Sequence, residues 1–389
     1  MSPRIPLARP ELGDEEWHAV HEVIASGWVT QGPRVAEFEQ AVAALCGTKH
    51  AVAVSSCTAA LHLALRCLGV GPGDEVVVPS MTFIASTNAV VHAGGTPVFA
   101  EVDPRTFNLD PADVERRLGP RTKAILVVHQ LGLPVDLDAF AALAGRRGVR
   151  LLEDAACALG SCYQGRPVGG HSELVCFSFH PRKIVTTGEG GMVTTDSDAH
   201  AERLRHLRHH GMSVPDAVRH GSSTVIREAY LEVGYNFRMT DIQAAIGLVQ
   251  LRRLPEILER RRRLAARYHR AFESHAVIAP PFVPPYAEPN YQSYAVTLRG
   301  FGAALRDALM QRLLDRGIAT RPGVMTAHRE PAYRGRVVGG LAVSEAASDG
   351  SLILPLYAGL SPAEQDDVIR ALVEEVERLV SGGQEGARA

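Results

Sequence analysis

Residues 175–183 read Val-Cys-Phe-Ser-Phe-His-Pro-Arg-Lys, a strand-like apolar run that ends in a lysine. Side chains alternate along a strand, so the two phenylalanines share one face and Ser178 lies on the other. Proline is not tolerated inside a central strand, so Pro181 ends it and Lys183 lies in the loop beyond. The glycines of Gly188-Glu-Gly-Gly191 then allow a tight turn into another strand.

Lys183 is one of only three lysines among the 41 basic residues, beside Lys49 and Lys123. The other two have the surroundings of solvated side chains. A lysine shielded from water at a strand end has the pKa of its amine lowered by desolvation. It then becomes the nucleophile that Schiff-base chemistry requires, so Lys183 is the candidate catalytic residue.

The sequence around this stretch alternates short apolar runs with helical periodicity from residue 34 to residue 210. Such alternation favours an α/β fold in which a mostly parallel sheet carries helices on both faces. Ligands of such sheets bind at the carboxyl ends of the strands. The seven candidate strands are residues 51–55, 75–79, 97–102, 124–129, 150–154, 174–179 and 191–195.

The C-terminal part of the chain has a different pattern. Residues 213–234 show little periodicity and are predicted to form a loop, and a long helix with a kink at Pro255 is predicted over residues 240–274. Beyond a proline-rich boundary, strand and helix signals predict a smaller α+β domain. The predicted divisions are an N-terminal segment with the large domain (1–250), the small domain (251–380) and a disordered tail (381–389).

A carboxylate ends the candidate strand that contains Leu151-Leu-Glu-Asp154. An acid at the end of an apolar central strand is costly unless a positive group meets it. A protonated pyridine nitrogen is one such group, and at about 4 Å with an effective dielectric near 20 the attraction is roughly 4 kcal/mol. Such an aspartate would keep the ring protonated and make it an electron sink. The alternative is that Asp154 only caps the next turn.

A phosphate site is predicted where strand 51–55 passes into a helix through Ser56-Cys-Thr-Ala59. The N–H groups at the start of a helix, together with the Thr58 hydroxyl, form an anion site. An ordinary N-cap at Thr58 is the alternative. The glycine-rich run after Lys183 lacks the Gly-Lys-Ser/Thr ending of a P-loop, which argues against an ATP-dependent enzyme.

Composition limits the other functions of this 389-residue chain. The net charge of −2 gives no general attraction to nucleic acid or to an anionic membrane. No apolar run reaches the length of a membrane helix and no secretory signal is apparent, so a cytoplasmic protein is expected. The spacing of the six cysteines fits neither a zinc site nor a disulfide framework, and no metal site is predicted.

Together these segments resemble the pyridoxal 5′-phosphate (PLP) dependent nucleotide-sugar aminotransferases of the DegT/StrS type, a branch of the fold-type I aminotransferases. The resemblance covers about residues 6–380. Its motifs are Gly27-Trp-Val-Thr-Gln-Gly-Pro33, the stretch from Phe177 to Gly191, and Tyr235-Asn-Phe-Arg-Met-Thr240. The family implies a large domain with a mostly parallel seven-stranded sheet between helices, a small C-terminal α+β domain and a homodimer with shared active sites.

The resemblance also implies a role for each matching residue. Lys183 would bind the cofactor as a Schiff base and carry protons, Asp154 would pair with the pyridine nitrogen, and Phe83 would stack on the ring. The other implied cofactor contacts are Cys57, Thr58, Ala59, Cys157, Ser178 and, from the neighbouring subunit, Asn236. The implied substrate contacts are Trp28, Thr30, His129, Arg238 and His328.

Three positions depart from the family pattern. Cys57 stands where glycine is usual in the phosphate turn, and Cys157 stands where glutamine usually bonds to the ring hydroxyl. Gln130 follows His129 where leucine is commoner. We expect catalysis to survive these changes and substrate choice to differ.

The implied reaction moves an amino group from an amino acid, glutamate or glutamine, to the keto group of a nucleotide-linked sugar. The alternatives are a transaminase of a cyclitol or another non-sugar ketone, a PLP dehydratase, and a non-catalytic regulatory or DNA-binding relative. A dehydratase branch of the family carries histidine at the lysine position, so Lys183 argues against that branch.

Overall fold

The computed structural model describes residues 3–214, 223–335 and 339–386. No helix within these ranges has an apolar stretch long enough to cross a lipid bilayer. The first nine strands are β1 His50–Val54, β2 Glu75–Pro79, β3 Thr96–Ala100, β4 Thr122–Val128, β5 Arg150–Asp154, β6 Cys162–Tyr163, β7 Arg166–Pro167, β8 Leu174–Ser178 and β9 Gly191–Thr195.

The main sheet has seven strands in the order β1-β9-β8-β5-β4-β2-β3. The pairs from β8 to β3 are parallel, and β9 is antiparallel to both of its neighbours. Because β9 alone is reversed, the other six strands of this sheet run in one direction. The predicted seven-stranded, mostly parallel sheet is therefore confirmed.

Helices cover both faces of this sheet. Among the described residues, the α-helices of this part are α1 Asp14–Ser26, α2 Pro33–Cys46, α3 Cys57–Cys67, α4 Ile84–His92, α5 Pro111–Arg117, α6 Leu137–Arg147 and α7 Asp198–Leu207. Strand alternation sends Val52 and Val54 into one apolar core with helices α3, α4 and α7, while Ala51 and Ala53 enter a second core on the other face.

The C-terminal part begins with a 32-residue helix, α8 Asp241–Phe272, which continues through Pro255. The elements that follow are β10 Ile278–Ala279, β11 Ala287–Glu288, β12 Tyr294–Leu298, α9 Ala303–Asp315, β13 Arg321–Pro322, α10 Ala342–Asp349, β14 Ser351–Leu354 and α11 Pro362–Gly386. Four of these strands form an antiparallel sheet in the order β10-β12-β14-β13, and β11 pairs with β6 instead. The predicted smaller α+β part is confirmed.

Three further predictions concern this half of the chain. Residues 223–234 contain no helix or strand beyond one isolated bridge between Met212 and Tyr230, in line with the predicted loop, and residues 215–222 of that loop lie outside the described residues. The predicted domain divisions stay predictions. Helix α11 extends into the predicted tail 381–389, whose disorder also stays a prediction.

An aspartate from α8 fixes the segment before α2. Gly32 is the N-cap of α2 and has no side chain to accept a hydrogen bond. The Asp241 carboxylate supplies the acceptor, for the N–H groups of Gly32 (2.8 Å), Arg34 (3.1 Å) and Val35 (3.0 Å). In return the Asp241 N–H donates to the Thr30 carbonyl at 2.9 Å. The segment before α2 is therefore held against the start of α8.

Candidate active site

The carboxyl ends of three strands meet at one edge of the main sheet. Because β9 is antiparallel to β1 and β8, those two strands run in the same direction as β5. Their last residues are Val54, Asp154 and Ser178. Gly191, at the start of β9, pairs with both Val54 and Ser178 and so lies at the same edge. A ligand of a parallel sheet is expected at this edge.

Asp154 places a carboxylate at this edge with only 4% of its surface exposed. One of its oxygens accepts the Ser86 hydroxyl at 2.7 Å, and the other accepts the Ala156 N–H at 3.0 Å. Burial raises the pKa of the carboxyl, although both hydrogen bonds oppose the rise. A bound cation would offset the cost of burying this charge.

Lys183 places an amine near the same carboxylate, where its Nζ donates a hydrogen bond to the Cys157 sulfur at 3.2 Å. Burial lowers the pKa of the amine, as the sequence predicts, but Cys157, Cys57 and Asp154 raise it by more. The net pKa lies above its ordinary value, so the predicted net lowering is wrong. An amine must lose its proton before it acts as a nucleophile, and here its neighbours govern that loss.

The turn from β1 into α3 presents free donors. Ser56, not Thr58, is the N-cap of α3, and its hydroxyl accepts the Ala59 N–H at 3.1 Å. The first N–H groups of the helix, at Cys57 and Thr58, have no acceptor within it. A Cβ on Gly191 would lie 2.4 Å from the Ser56 carbonyl, so glycine is needed for β9 to approach the turn. The donors suit a phosphate.

Phe83 precedes helix α4 as its N-cap and is 60% exposed. The same helix carries Ser86, the donor to Asp154. One helix start therefore supplies both an uncovered aromatic ring and a hydrogen bond to the buried acid. An aromatic side chain exposed to this extent beside a buried polar site is a candidate for stacking on a planar ligand.

These groups fit PLP. The buried Asp154 carboxylate suits a pyridinium, the Lys183 amine suits an aldehyde, the exposed Phe83 ring can cover the cofactor ring, and the start of α3 suits the phosphate. Within the described ranges, no group of three or more His, Cys, Asp or Glu side chains is arranged to hold a metal ion.

His129 is fully buried, with an exposure of 0%. Its Nδ1 accepts the Val135 N–H at 3.1 Å, so Nε2 carries the proton and donates to Glu153 at 2.9 Å. The Ser172 hydroxyl donates to the other Glu153 oxygen. His129 therefore satisfies a buried acid on the face of β5 opposite Asp154, and its contact with substrate stays a prediction.

Two predicted substrate residues lie in the segment that Asp241 holds. The Trp28 indole N–H donates to the Gln31 carbonyl at 3.0 Å, and Thr30 is exposed. The local fold thus fixes the course of the backbone here and leaves the Thr30 side chain accessible. Substrate contacts by Trp28 and Thr30 stay predictions.

The remaining predicted residues are not gathered into one cluster by their hydrogen bonds. The Arg238 guanidinium contacts Nδ1 of His209. His328 is buried, with Nε2 at 2.9 Å from a Glu345 oxygen. Asn236 is exposed. Their contacts with substrate or phosphate stay predictions.

Two hydroxyl residues at this site were missed by the sequence reasoning. Ser86 bonds to Asp154, and the Thr82 hydroxyl lies 3.0 Å from that of Ser86. Both side chains are buried. The sequence feature that could have identified them is their spacing: they are four residues apart at the start of a predicted helix, which places both hydroxyls on one side of the chain among apolar neighbours.

Comparison with known proteins gives consistent matches over nearly all of the chain. The profile of the DegT/DnrJ/EryC1/StrS aminotransferase family matches residues 10–373. The chain is 42% identical over 372 residues to GDP-perosamine synthase of Caulobacter vibrioides, which covers 95% of this chain and 98% of that protein.

Solved structures of two proteins extend the similarity. Spr1654 of Streptococcus pneumoniae, described as a sugar aminotransferase, matches in its PMP form with a TM-score of 0.92 and 31% identity, over 97% of this chain and 100% of that one. It also matches in a PLP form, with a TM-score of 0.90 over 96% of this chain and 99% of that one. The aminotransferase TlmJ of Streptoalloteichus hindustanus matches with a TM-score of 0.89 and 39% identity, over 97% and 100% of the two chains.

Replacing Cys157 with alanine is expected to lower the pKa of the Lys183 amine, because the cysteine raises it. Neutral amine then persists to lower pH, so the rate at which cofactor-depleted enzyme binds PLP should reach its plateau at a lower pH than in the wild type. Stopped-flow absorbance above 400 nm measures this rate. The control is Cys162→Ala, a partly buried cysteine in β6. Identical pH profiles for Cys157→Ala and the wild type would contradict the expectation.

Proposed function

Because this chain belongs to the DegT/DnrJ/EryC1/StrS aminotransferase family, we propose that it transfers an amino group to a keto group of a nucleotide-linked sugar. It is a PLP-dependent aminotransferase. We assign the catalytic residues mainly because the Lys183 amine and the buried Asp154 carboxylate lie near each other at one edge of the main sheet. These two groups would hold the cofactor ring from different sides.

PLP, when bound, withdraws electrons from the carbon that carries the amino group and so makes the proton on that carbon acidic. Lys183 Nζ would remove this proton and later return it at a different carbon. Asp154 would stay negative and favour the protonated ring nitrogen. Thr58 and the first N–H groups of α3 would anchor the phosphate, and Phe83 would keep water from one face of the ring.

The substrate class is inferred from the relatives. One is named GDP-perosamine synthase, and Spr1654 is described as a sugar aminotransferase. On this similarity we infer a keto group on a nucleotide-linked sugar as the acceptor, and glutamate or glutamine as the donor.

Two arginines near Lys183 support an anionic substrate. Arg182 immediately precedes Lys183 and is exposed, and Arg321 begins β13. Burial lowers the pKa of Arg182, and the charge of Arg321 lowers it further, which indicates that the two guanidinium groups are neighbours. A diphosphate or a carboxylate would relieve their repulsion.

The test of this function is an amination assay with purified enzyme, PLP and glutamate or glutamine. We expect GDP-, UDP- or dTDP-linked keto-sugars to gain an amine, detected by mass spectrometry, and Lys183→Ala to lose more than about a thousandfold in turnover. Lys49→Ala, at an exposed lysine, is the matched control and should keep full activity. Amination of keto-cyclitols with no reaction on any keto-sugar would contradict the proposal.

The proposal includes a homodimer in which Asn236 reaches the phosphate in the neighbouring subunit. Asn236 is exposed, and the segment before it carries apolar side chains with large exposures: Val225 93%, Leu231 60% and Val233 87%. Apolar side chains exposed together are typical of a surface that another protein covers. A second copy of the chain would cover them and bring Asn236 to the site.

Mixed dimers test whether the site is shared. A dimer of one Lys183→Ala subunit and one Asn236→Ala subunit has one site with both residues intact if Asn236 acts across the interface. Two-tag purification should then give a heterodimer with about half of the wild-type activity, while both mutant homodimers are far less active. A heterodimer no more active than the average of the two homodimers would show that Asn236 acts within its own subunit or not at all.

A further inference from the structure

Two buried hydroxyl groups form a hydrogen-bonded chain that ends at the Asp154 carboxylate. Thr82 Oγ1 lies 3.0 Å from Ser86 Oγ, which lies 2.7 Å from Asp154 Oδ2. The exposures of the three residues are 0%, 1% and 4%. An ionised carboxylate can only accept, so the Ser86 proton points to Asp154 and the Thr82 proton points to Ser86. The acid therefore sets the direction of both hydrogen bonds.

We propose that Ser86, supported by Thr82, is a positioning residue that keeps Asp154 ionised and oriented toward the ring nitrogen of PLP. This inference rests on the proposed function. Neither hydroxyl needs to touch the cofactor, because both act through the carboxylate.

Four other titratable groups lie near Asp154. They are His129, Cys57, Cys176 and Lys183. Burial raises the pKa of the two thiols well above its usual range, and neither thiol supplies a positive charge that could stabilise the carboxylate. The hydrogen bonds of the His129 ring go to Glu153 and Val135, not to Asp154.

Lys183 is the cation among these groups, and its amine is the group that the cofactor would take. Within the described residues, the protein's own remaining support for the charge is then the pair of hydrogen bonds from Ser86 and Ala156, beside the ring nitrogen of the cofactor. Hydrogen bonds to a charged acceptor are stronger than neutral ones, and a donor that is itself polarised by a second hydroxyl strengthens further.

The position of Ser86 connects the hydrogen bond to Asp154 with the expected stacking of Phe83 on the cofactor ring. Ser86 lies in the first turn of α4, and Phe83 is the N-cap of the same helix. The packing that places the exposed ring therefore also places the hydroxyl. A substitution at Ser86 should alter the charge of Asp154 and leave the Phe83 side chain in place.

The experiment measures PLP affinity against pH by fluorescence quenching, with cofactor-depleted full-length enzyme. Ser86→Ala removes a hydrogen bond that favours the charged carboxylate, so Asp154 gains its proton at higher pH. As the pH is lowered, the affinity of Ser86→Ala for PLP should begin to fall about one pH unit above the point where that of the wild type falls. Between these two pH values the variant should bind PLP about tenfold more weakly than the wild type. Thr82→Val should shift the profile in the same direction by less, and Ser86→Thr should restore it.

Thr87→Val is the matched control, because Thr87 is the next residue of α4, is buried, and its hydroxyl has no partner among the described residues. Its profile should equal that of the wild type, and circular dichroism should show that all variants are folded. A Ser86→Ala profile equal to the wild type, or an equal shift in Thr87→Val, would overturn the inference alone. Failure of the wild type to bind PLP would overturn the proposed function and this inference with it.

Discussion

The Asp154 carboxylate lies buried at the end of a central strand, near two thiols and the Lys183 amine, and accepts two hydrogen bonds. Placing a charge there is costly, and burial alone pushes the group toward its neutral form. The fold contains a partial remedy in Ser86 and Ala156, and a cationic ring nitrogen would supply the rest. Much of the local structure can be understood as what this one buried charge requires.

The sheet topology brings the other groups to the same place. A single reversed strand, β9, lies between β1 and β8, so Val54 and Ser178 both pair with Gly191. The close approach of Gly191 to Ser56 packs the start of β9 against the turn that leads into α3. The phosphate donors, the lysine loop and the buried acid are thereby fixed relative to one another by backbone pairing, which is more rigid than contacts between loops.

The sequence predicted what depends on local patterns. The predicted strands 75–79, 150–154 and 191–195 coincide with β2, β5 and β9, because apolar runs bounded by turn residues leave little freedom in their limits. It failed where the outcome depends on neighbours distant along the chain. The rise in the Lys183 pKa comes from Cys157, Cys57 and Asp154, and the hydrogen bond of the buried His129 ring goes to Glu153 on the next strand of the sheet. A sequence motif identifies the residue types near a site, but it does not show which of their side chains point toward the ligand.

The central claim is that Asp154 keeps the cofactor nitrogen protonated, and ¹⁵N NMR of enzyme loaded with PLP labelled at the pyridine nitrogen tests it most directly. The account predicts the chemical shift of a protonated pyridine at neutral pH in the wild type, and that of an unprotonated pyridine in Asp154→Asn. A protonated nitrogen in Asp154→Asn, with the cofactor still bound, would contradict the account.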